Sequence, residues 1–164
     1  MFKVGIIGPE SSGKSTLARY LAKRYKGTYV PEYARTYVER KGTTQLTYDE
    51  LCEIAHYQID EMERLLASET VFQAQPIFFD TELIVTKVWF DYAFGTVPSW
   101  LNDAILRYPM DVYLLTAPDL PWIADPARSN GSDAIRQELF NRYEQEIQSL
   151  DIPYYIITHS SENK

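Results

Sequence analysis

The chain contains 164 residues, of which 45% are hydrophobic and 24% charged, and it carries a net charge of −7. This length suits one domain with a sizeable core, and the acidic balance argues against a nucleic-acid binder, which usually needs a basic face. No run approaches the roughly 18 apolar residues of a membrane span, the first residues show no secretory leader, and the single Cys52 excludes an internal disulfide framework. We therefore expect one cytoplasmic domain over residues 1–164 that binds neither nucleic acid nor membrane, and no feature indicates an oligomeric state.

Strand-like runs alternate with helical patterns in the first half of the chain. Residues 2–7 predict a buried strand, and residues 16–25 predict an amphipathic helix. Residues 27–35 begin with a short second strand that a proline ends, and Thr47 with Glu50 forms a capping box for a long helix. The apolar faces of the two helices are expected at Leu17, Ala18, Leu21, Ala22 and Tyr25, and at Leu51, Ile54, Ala55, Ile59, Met62, Leu65 and Leu66.

The second half of the chain continues this alternation. Apolar runs at 76–82, 111–116 and 153–158 predict three further strands, and residues 132–150 predict a helix. The apolar side of this helix carries Ile135, Leu139, Tyr143 and Ile147. Five apolar strands separated by helices indicate an α/β protein with a parallel sheet covered on both faces. A further helix commonly closes such a sheet, so we expect the chain to be short at its C-terminus.

A glycine- and serine-rich turn, GPESSGKSTL over residues 8–17, connects the first strand to the first helix. It fits the pattern G-x-x-x-x-G-K-[ST] in the strand–turn–helix context that a phosphate-binding loop requires. Such a loop points successive backbone N–H groups inward and adds the positive end of the following helix. Lys14 would reach the β- and γ-phosphates of ATP, and the hydroxyl of Ser15 would bind Mg²⁺. The residues expected to hold the nucleotide are Gly8, Glu10, Ser11, Ser12, Gly13, Lys14, Ser15 and Thr16.

Asp80 ends the third predicted strand and is the candidate second metal ligand. An acid at the carboxyl end of a neighbouring parallel strand faces the crevice in which such sheets bind ligands. It would hold Mg²⁺ directly or through water, and a helix-capping role for the same side chain is compatible with this. The chain is therefore predicted to be a P-loop NTPase of the α/β class.

The remaining motifs favour a small-molecule kinase over a GTPase. A GTPase would carry an N/T-K-x-D motif, whereas Thr86 and Lys87 are followed here by Val88 and Trp89. A mechanical ATPase normally works with further domains, for which this length leaves little room. A kinase needs a site for the acceptor hydroxyl and a cationic lid, and the sequence offers a candidate for each.

The acceptor candidate is PEYAR, residues 31–35. Glu32 would accept or orient the proton of a substrate hydroxyl, Tyr33 would contact the substrate, and Arg35 would pair with Glu32 or with phosphate. An exposed pair of Glu32 and Arg35 on a helical turn, of little energetic value, is the alternative.

The lid candidate is the irregular segment 120–132, which lies before the last predicted helix. Arg128 would swing over the transferring phosphoryl group and neutralise its charge, and Arg136 is a second candidate for this role. A solvated loop is the alternative. Aromatic residues crowd residues 82–101, where either a stacking cage around Trp89 or ordinary core packing would use them.

Four segments together resemble a known family: GPESSGKSTL, PEYAR, FFDTE and PWIADPARSNGS. The chain is similar to the ribosylnicotinamide kinase domain of NadR-type proteins, within a wider group of P-loop ATPases, from about Lys3 to Tyr155. The most specific parts are the E-S-S-G-K-S-T loop and a W-x-x-D-x-x-R lid formed by Trp122, Asp125 and Arg128.

This resemblance implies transfer of the γ-phosphate of ATP to the 5′-hydroxyl of nicotinamide riboside, with Mg²⁺ as cofactor. By position, Lys14 and Ser15 would serve ATP and the metal, Asp80 the metal and Arg128 the lid. The resemblance also implies that the acceptor is bound by acids and an aromatic ring, which suit a cationic pyridinium. The residues assigned to the acceptor are Glu32, Tyr33, Arg35, Asp80, Glu82, Trp89 and Asp125.

Two departures from the family pattern stand out. The chain reads T-E after Asp80 where relatives often have T-D, and it starts at the first kinase strand without the adenylyltransferase domain of the bifunctional relatives. We therefore expect it to make the mononucleotide only. The rival hypotheses are a kinase of another nucleoside or small metabolite, and a nucleotide-binding regulator that hydrolyses ATP slowly.

Overall fold

A computed structural model describes residues 1–68, 75–128 and 131–159. The described chain alternates strands and helices, as the sequence predicts. In chain order the elements are β1 (Lys3–Ile7), α1 (Lys14–Arg24), β2 (Thr28–Val30), α2 (Tyr33–Lys41), α3 (Tyr48–Ala67), β3 (Ile77–Asp80), α4 (Leu83–Phe94), α5 (Ser99–Arg107), β4 (Val112–Thr116), α6 (Asp133–Ser149) and β5 (Tyr154–Ile157).

All five strands run parallel in one sheet, in the order β2-β3-β1-β4-β5. The central strand β1 pairs with β3 on one side and with β4 on the other, and Ile6 lies opposite both Asp80 and Leu114. Because parallel strands end at the same edge of a sheet, this register gathers the ends of β1, β3 and β4 around the start of α1. The predicted α/β class and the five-stranded parallel sheet are confirmed.

Helices cover both faces of the sheet, which gives the domain two apolar layers. On one face Ala18 and Ala22 of α1 pack against Val4, Ile6 and Phe78. On the other face α3, α4, α5 and α6 contribute the larger cluster, which includes Ile54, Ile84, Leu101 and Tyr143. No helix in the described part of the chain is long and apolar enough to cross a membrane.

Local details of the predicted elements differ at several points. The capping box forms as predicted, because Thr47 accepts from the Glu50 N–H while the Glu50 carboxylate accepts from the Thr47 N–H. The prediction that Tyr25 and Leu66 are buried is wrong, because they are 60% and 41% exposed. Tyr25 is the C-cap residue of α1, and its exposed ring stacks on Phe78 with ring centroids 6.3 Å apart.

The predicted lid carries no helix or strand among its described residues. Ser129 and Asn130, which belong to this predicted segment, lie outside the described residues. The helices α2, α4 and α5 were not predicted individually from the sequence.

Gly8→Ala tests the close approach of the turn after β1 to the sheet. Gly8 has φ +151°, and a Cβ there would lie 2.2 Å from Thr116 Oγ1 and 2.6 Å from the Thr116 carbonyl oxygen. We expect the free energy of unfolding in urea to fall by at least about 3 kcal/mol, because buried backbone must move.

Gly42→Ala is the matched control, because Gly42 has φ +79° but a Cβ there would meet no atom within 4 Å. It should cost only the left-handed backbone penalty of about 1–2 kcal/mol. Equal losses in the two variants would contradict the close approach.

Candidate active site

The phosphate-loop residues lie between β1 and α1, as their sequence predicts. Gly13 adopts the left-handed conformation at φ 83° and caps α1, whose first residue is Lys14. Ser11 is also left-handed, at φ 56°, which is strained for a residue with a side chain. The Lys14 Nζ donates to the Pro9 carbonyl at 2.9 Å, so its charge lies over the loop.

A hydroxyl network fixes the loop to the end of β4. Ser12 Oγ and Thr116 Oγ1 are 2.6 Å apart, Ser12 Oγ lies 2.7 Å from the Pro9 carbonyl oxygen, and Thr116 Oγ1 lies 3.2 Å from the Ile7 carbonyl oxygen, so the two hydroxyl hydrogens serve three short contacts. Both hydroxyl-bearing residues are buried. Thr116 was not among the site residues predicted from the sequence. A polar residue that ends an apolar strand beside the crevice could have indicated it.

A cavity of about 210 Å³ opens directly above this loop. Its walls come from the loop, from the start of α2 and from α3, α4 and α6. Of the predicted site residues, it is lined by Gly8, Glu10, Ser11, Ser12, Gly13, Lys14, Ser15, Thr16, Glu32, Arg35, Trp89 and Arg128. It therefore joins the phosphate loop, the acceptor candidate Glu32 and the lid arginine in one space.

Glu32 lines this cavity at the start of α2, and Glu10 of the loop is a second acid in the same lining. Burial raises the pKa of its carboxyl above the ordinary value, the nearby Asp80 carboxylate raises it further, and the Lys14 ammonium lowers it. A carboxyl whose pKa is raised towards neutrality is a better proton acceptor for a hydroxyl than an ordinary exposed glutamate.

Asp80 lies under the cavity and does not line it. Its Oδ2 accepts from the Tyr29 hydroxyl at 3.0 Å, and its Oδ1 is buried with no hydrogen-bond partner among the described residues. A buried carboxylate oxygen without a partner is costly. Asp80 Oδ1 is therefore available to bind a group from outside the protein.

Two residues assigned to the acceptor, Tyr33 and Glu82, lie elsewhere, which corrects the prediction. Both line a separate cavity of about 380 Å³ between α2 and α3. Tyr33 stacks on Tyr57 with ring centroids 3.5 Å apart. The Glu82 carboxylate caps α4 by accepting from the Ile84 N–H at 3.0 Å. Neither Tyr33 nor Glu82 lines the cavity of the phosphate loop.

Among the contacts that tie the lid segment to the rest of the site are two hydrogen bonds: Arg35 Nη2 donates to Asp125 Oδ2 at 2.6 Å, and Ile123 N donates to Ser11 Oγ at 3.1 Å. Within the lid, Arg128 Nη1 donates to the Ile123 carbonyl at 2.8 Å. The Arg35 guanidinium lowers the pKa of the Asp125 carboxyl. Asp125, assigned to the acceptor from the sequence, is therefore the ion-pair partner of Arg35 and does not line the cavity.

The aromatic end of the cavity combines Trp89 with Tyr143, which the sequence indicated only as a core residue of α6. Burial together with Glu32 and Glu10 raises the pKa of the Tyr143 hydroxyl, and the neighbouring Trp89 indole lowers it. Core packing holds most of the other aromatic side chains of residues 82–101, such as the fully buried Phe90. Arg136, the second lid candidate, is buried behind the loop and does not line the cavity, which corrects its expected role.

This fold and loop define the chain as a P-loop nucleotide-binding domain of the α/β class. Residues 3–164 match the model of the AAA domain family, so the chain belongs to that family. The resemblance to NadR-type proteins is confirmed as well. The trifunctional NAD biosynthesis/regulator protein NadR of Escherichia coli (strain K12) is 31% identical over 156 residues, which cover 92% of this chain and 37% of that protein.

Solved structures of NadR share this fold. A NadR structure in complex with NR has a TM-score of 0.72 at 23% identity and covers 94% of this chain and 43% of that one. A NadR structure in complex with NAD and AMP-PNP has a TM-score of 0.73 at 24% identity, covering 94% and 44%. The chain thus spans less than half the length of the NadR proteins that it matches.

Glu82→Gln tests the buried acid that caps α4. Burial raises the pKa of Glu82 from 4.5 to about 8, although hydrogen bonds from the Ile84 and Leu83 N–H groups and from Tyr113 oppose this. From about pH 5 to about pH 8 the folded protein holds a proton that the unfolded chain releases, so the free energy of unfolding falls as pH rises. In urea unfolding across this range, Glu82→Gln should lose less stability than the wild type.

Glu138→Gln is the control for this experiment, because Glu138 is an exposed acid on α6. The same Glu-to-Gln substitution at this exposed position, whose ion pair with Arg142 is at the surface, should leave the wild-type pH slope unchanged. If the wild type and Glu82→Gln showed parallel slopes, the raised pKa would be contradicted.

Proposed function

We propose that this domain is an ATP-dependent kinase that phosphorylates the 5′-hydroxyl of nicotinamide riboside and releases nicotinamide mononucleotide and ADP. The observation that carries the proposal is the single cavity that joins the phosphate loop to Glu32, Trp89 and Arg128. The NadR relative, whose name includes NAD biosynthesis, and the NadR structures with NR and with AMP-PNP support the same assignment.

The phosphate end would hold the triphosphate tail of ATP. Backbone N–H groups of the loop and the start of α1 would bind its oxygens, and the Lys14 ammonium would leave the Pro9 carbonyl for the β- and γ-phosphates. Because these contacts all go to phosphate oxygens, the loop does not select the base of the nucleotide.

Ser15 and Asp80 would hold Mg²⁺. The donor set fits this ion, because Mg²⁺ prefers hard oxygen ligands and takes only one or two from the protein, completing its shell with phosphate oxygens and water. The unpartnered Asp80 Oδ1 is such an oxygen, and the described residues contain no cluster of three acid, histidine or cysteine side chains that would suit another metal. When bound there, the ion supplies positive charge to the phosphate oxygens.

At the acceptor end, Glu32 would take the proton of the 5′-hydroxyl as its oxygen forms a bond to the γ-phosphorus. The bond from the γ-phosphorus to the bridging oxygen of ADP breaks in line with this attack. The raised pKa makes the Glu32 carboxylate a stronger base for this proton than an ordinary exposed glutamate. Trp89 offers a flat ring for stacking on the base. The nearby acids Glu32 and Glu10 favour a cationic pyridinium ring over a neutral base.

An acceptor panel tests this proposal directly. With MgATP and equal concentrations of nicotinamide riboside, adenosine, cytidine, uridine and thymidine, coupled ADP release should be at least about 10-fold faster in kcat/KM for nicotinamide riboside. Turnover of another riboside in its place would leave a kinase with a different acceptor. ADP release that no acceptor stimulates would favour the alternative of a nucleotide-binding regulator that hydrolyses ATP slowly.

Arg128→Ala tests the lid. Because the guanidinium would neutralise charge that develops only in the transition state, kcat should fall about 10³-fold while the Kd of MgATP changes far less. Arg128→Lys should recover part of the loss. Arg107→Ala, an exposed arginine at the end of α5, is the matched control and should match the wild type. A loss of ATP affinity as large as the loss of kcat would count against a lid role.

A further inference from the structure

Arg136 lies in the first turn of α6 and is only 1% exposed, which is unusual for a charged side chain. Its guanidinium donates to the carbonyl oxygens of Glu10 at 3.1 Å, Ser11 at 3.4 Å and Leu120 at 2.7 Å. It also donates to Asp133 Oδ1 at 3.2 Å. The first two acceptors belong to the phosphate loop, and the third is the root of the lid.

The charge of Arg136 is poorly compensated by its nearest carboxylate. Asp133 is 93% exposed, so water screens its attraction for the guanidinium. The other three acceptors are neutral backbone carbonyls. A desolvated charge held mainly by dipoles is a poor way to gain stability. It leaves positive potential directly behind the loop that would bind a polyphosphate.

The geometry of the peptide bond explains how these contacts act on the loop. In a planar trans peptide the carbonyl of one residue and the N–H of the next point in opposite directions. Fixing the Glu10 and Ser11 carbonyls towards Arg136 therefore turns the Ser11 and Ser12 N–H groups to the other side of the loop, which faces the cavity. The same contacts also hold Ser11 in its strained left-handed conformation.

We propose that Arg136 is a positioning residue for the phosphate loop: it fixes two peptide groups with their N–H donors towards the nucleotide and adds a buried positive charge behind them. The proposal rests on the proposed function, since it assumes that the loop binds a nucleoside triphosphate. It differs from the role of Arg128, because Arg136 never contacts the substrate.

The contact with Leu120 extends this role to the lid. The Arg136 guanidinium bonds to the loop and to the lid root at once, and the Ile123 N–H bonds to Ser11 Oγ a few residues further on. Both lid contacts involve the same strained stretch of the loop, at Glu10 and Ser11. The lid therefore begins from a fixed point beside the phosphates, while Arg128 lies beyond it.

Binding of MgATP and of inorganic triphosphate with Mg²⁺, measured by calorimetry without acceptor, tests this proposal. For Arg136→Met we expect both Kd values to rise by the same factor of about 100, because charge-assisted contacts to the loop and the charge itself are lost. Arg136→Lys keeps the charge with fewer donors, so its Kd values should rise about 10-fold. The matched control is Arg142→Met on the same helix, which loses ion pairs with Asp91 and Glu138 and should bind both ligands as the wild type does.

The outcomes separate the possible explanations. If Arg136→Met does not fold, the Arg136→Lys result decides. The proposal would be overturned if Arg136→Lys bound both ligands with wild-type Kd values. It would also be overturned if either Arg136 variant bound MgATP more weakly but bound inorganic triphosphate as the wild type does. If the wild type itself bound neither ligand, the nucleotide-binding function would fail and this inference would fail with it.

Discussion

The contact between the loop after β1 and the end of β4 is the constraint on which the site depends. Gly8 lies so close to Thr116 that no side chain fits between them, and the Ser12 hydroxyl bonds to the Thr116 hydroxyl at 2.6 Å. Because this contact joins the loop to the buried end of the interior strand β4, the position of the loop follows from the packing of the sheet. Lys14 and Ser15 take their places from the loop, so the sheet sets their positions as well.

Positive groups cluster at the phosphate loop of this protein, although its net charge is negative. The chain has a net charge of −7, yet the phosphate end of the cavity is surrounded by Lys14, Arg128, the start of α1 and the buried Arg136. The acids Glu32 and Asp80 lie close enough to Lys14 and to each other that their charges interact: the Lys14 ammonium lowers the pKa of Glu32 and the Asp80 carboxylate raises it. A local field of this kind outweighs the distant surface charges, which water and salt screen within about 10 Å.

The sequence predicts those parts of the molecule that depend on neighbouring residues. The strands are apolar runs bounded by polar residues, and the phosphate loop is a contiguous motif, so both are where the sequence indicates. The direction of a side chain is harder to predict from the sequence, because successive residues of a helix point about 100° apart around its axis. Tyr33 directly follows Glu32 at the start of α2, yet its side chain faces a different cavity. The helices α2 and α5 are only nine residues long, too short for a clear periodic pattern.

Arg136 shows a different limit of sequence reasoning. An arginine in the first turn of a helix is ordinarily read as exposed, and it even opposes the positive end of the helix dipole. What makes it buried is a cluster of carbonyl oxygens contributed by residues 10, 11 and 120, which are distant in the sequence. Such an acceptor cluster forms only when the loop has curled so that its N–H groups face the other way. The burial of Arg136 and the inward N–H groups of the loop therefore depend on the same backbone conformation. The burial can be recognised only in the folded structure, where that loop conformation is present.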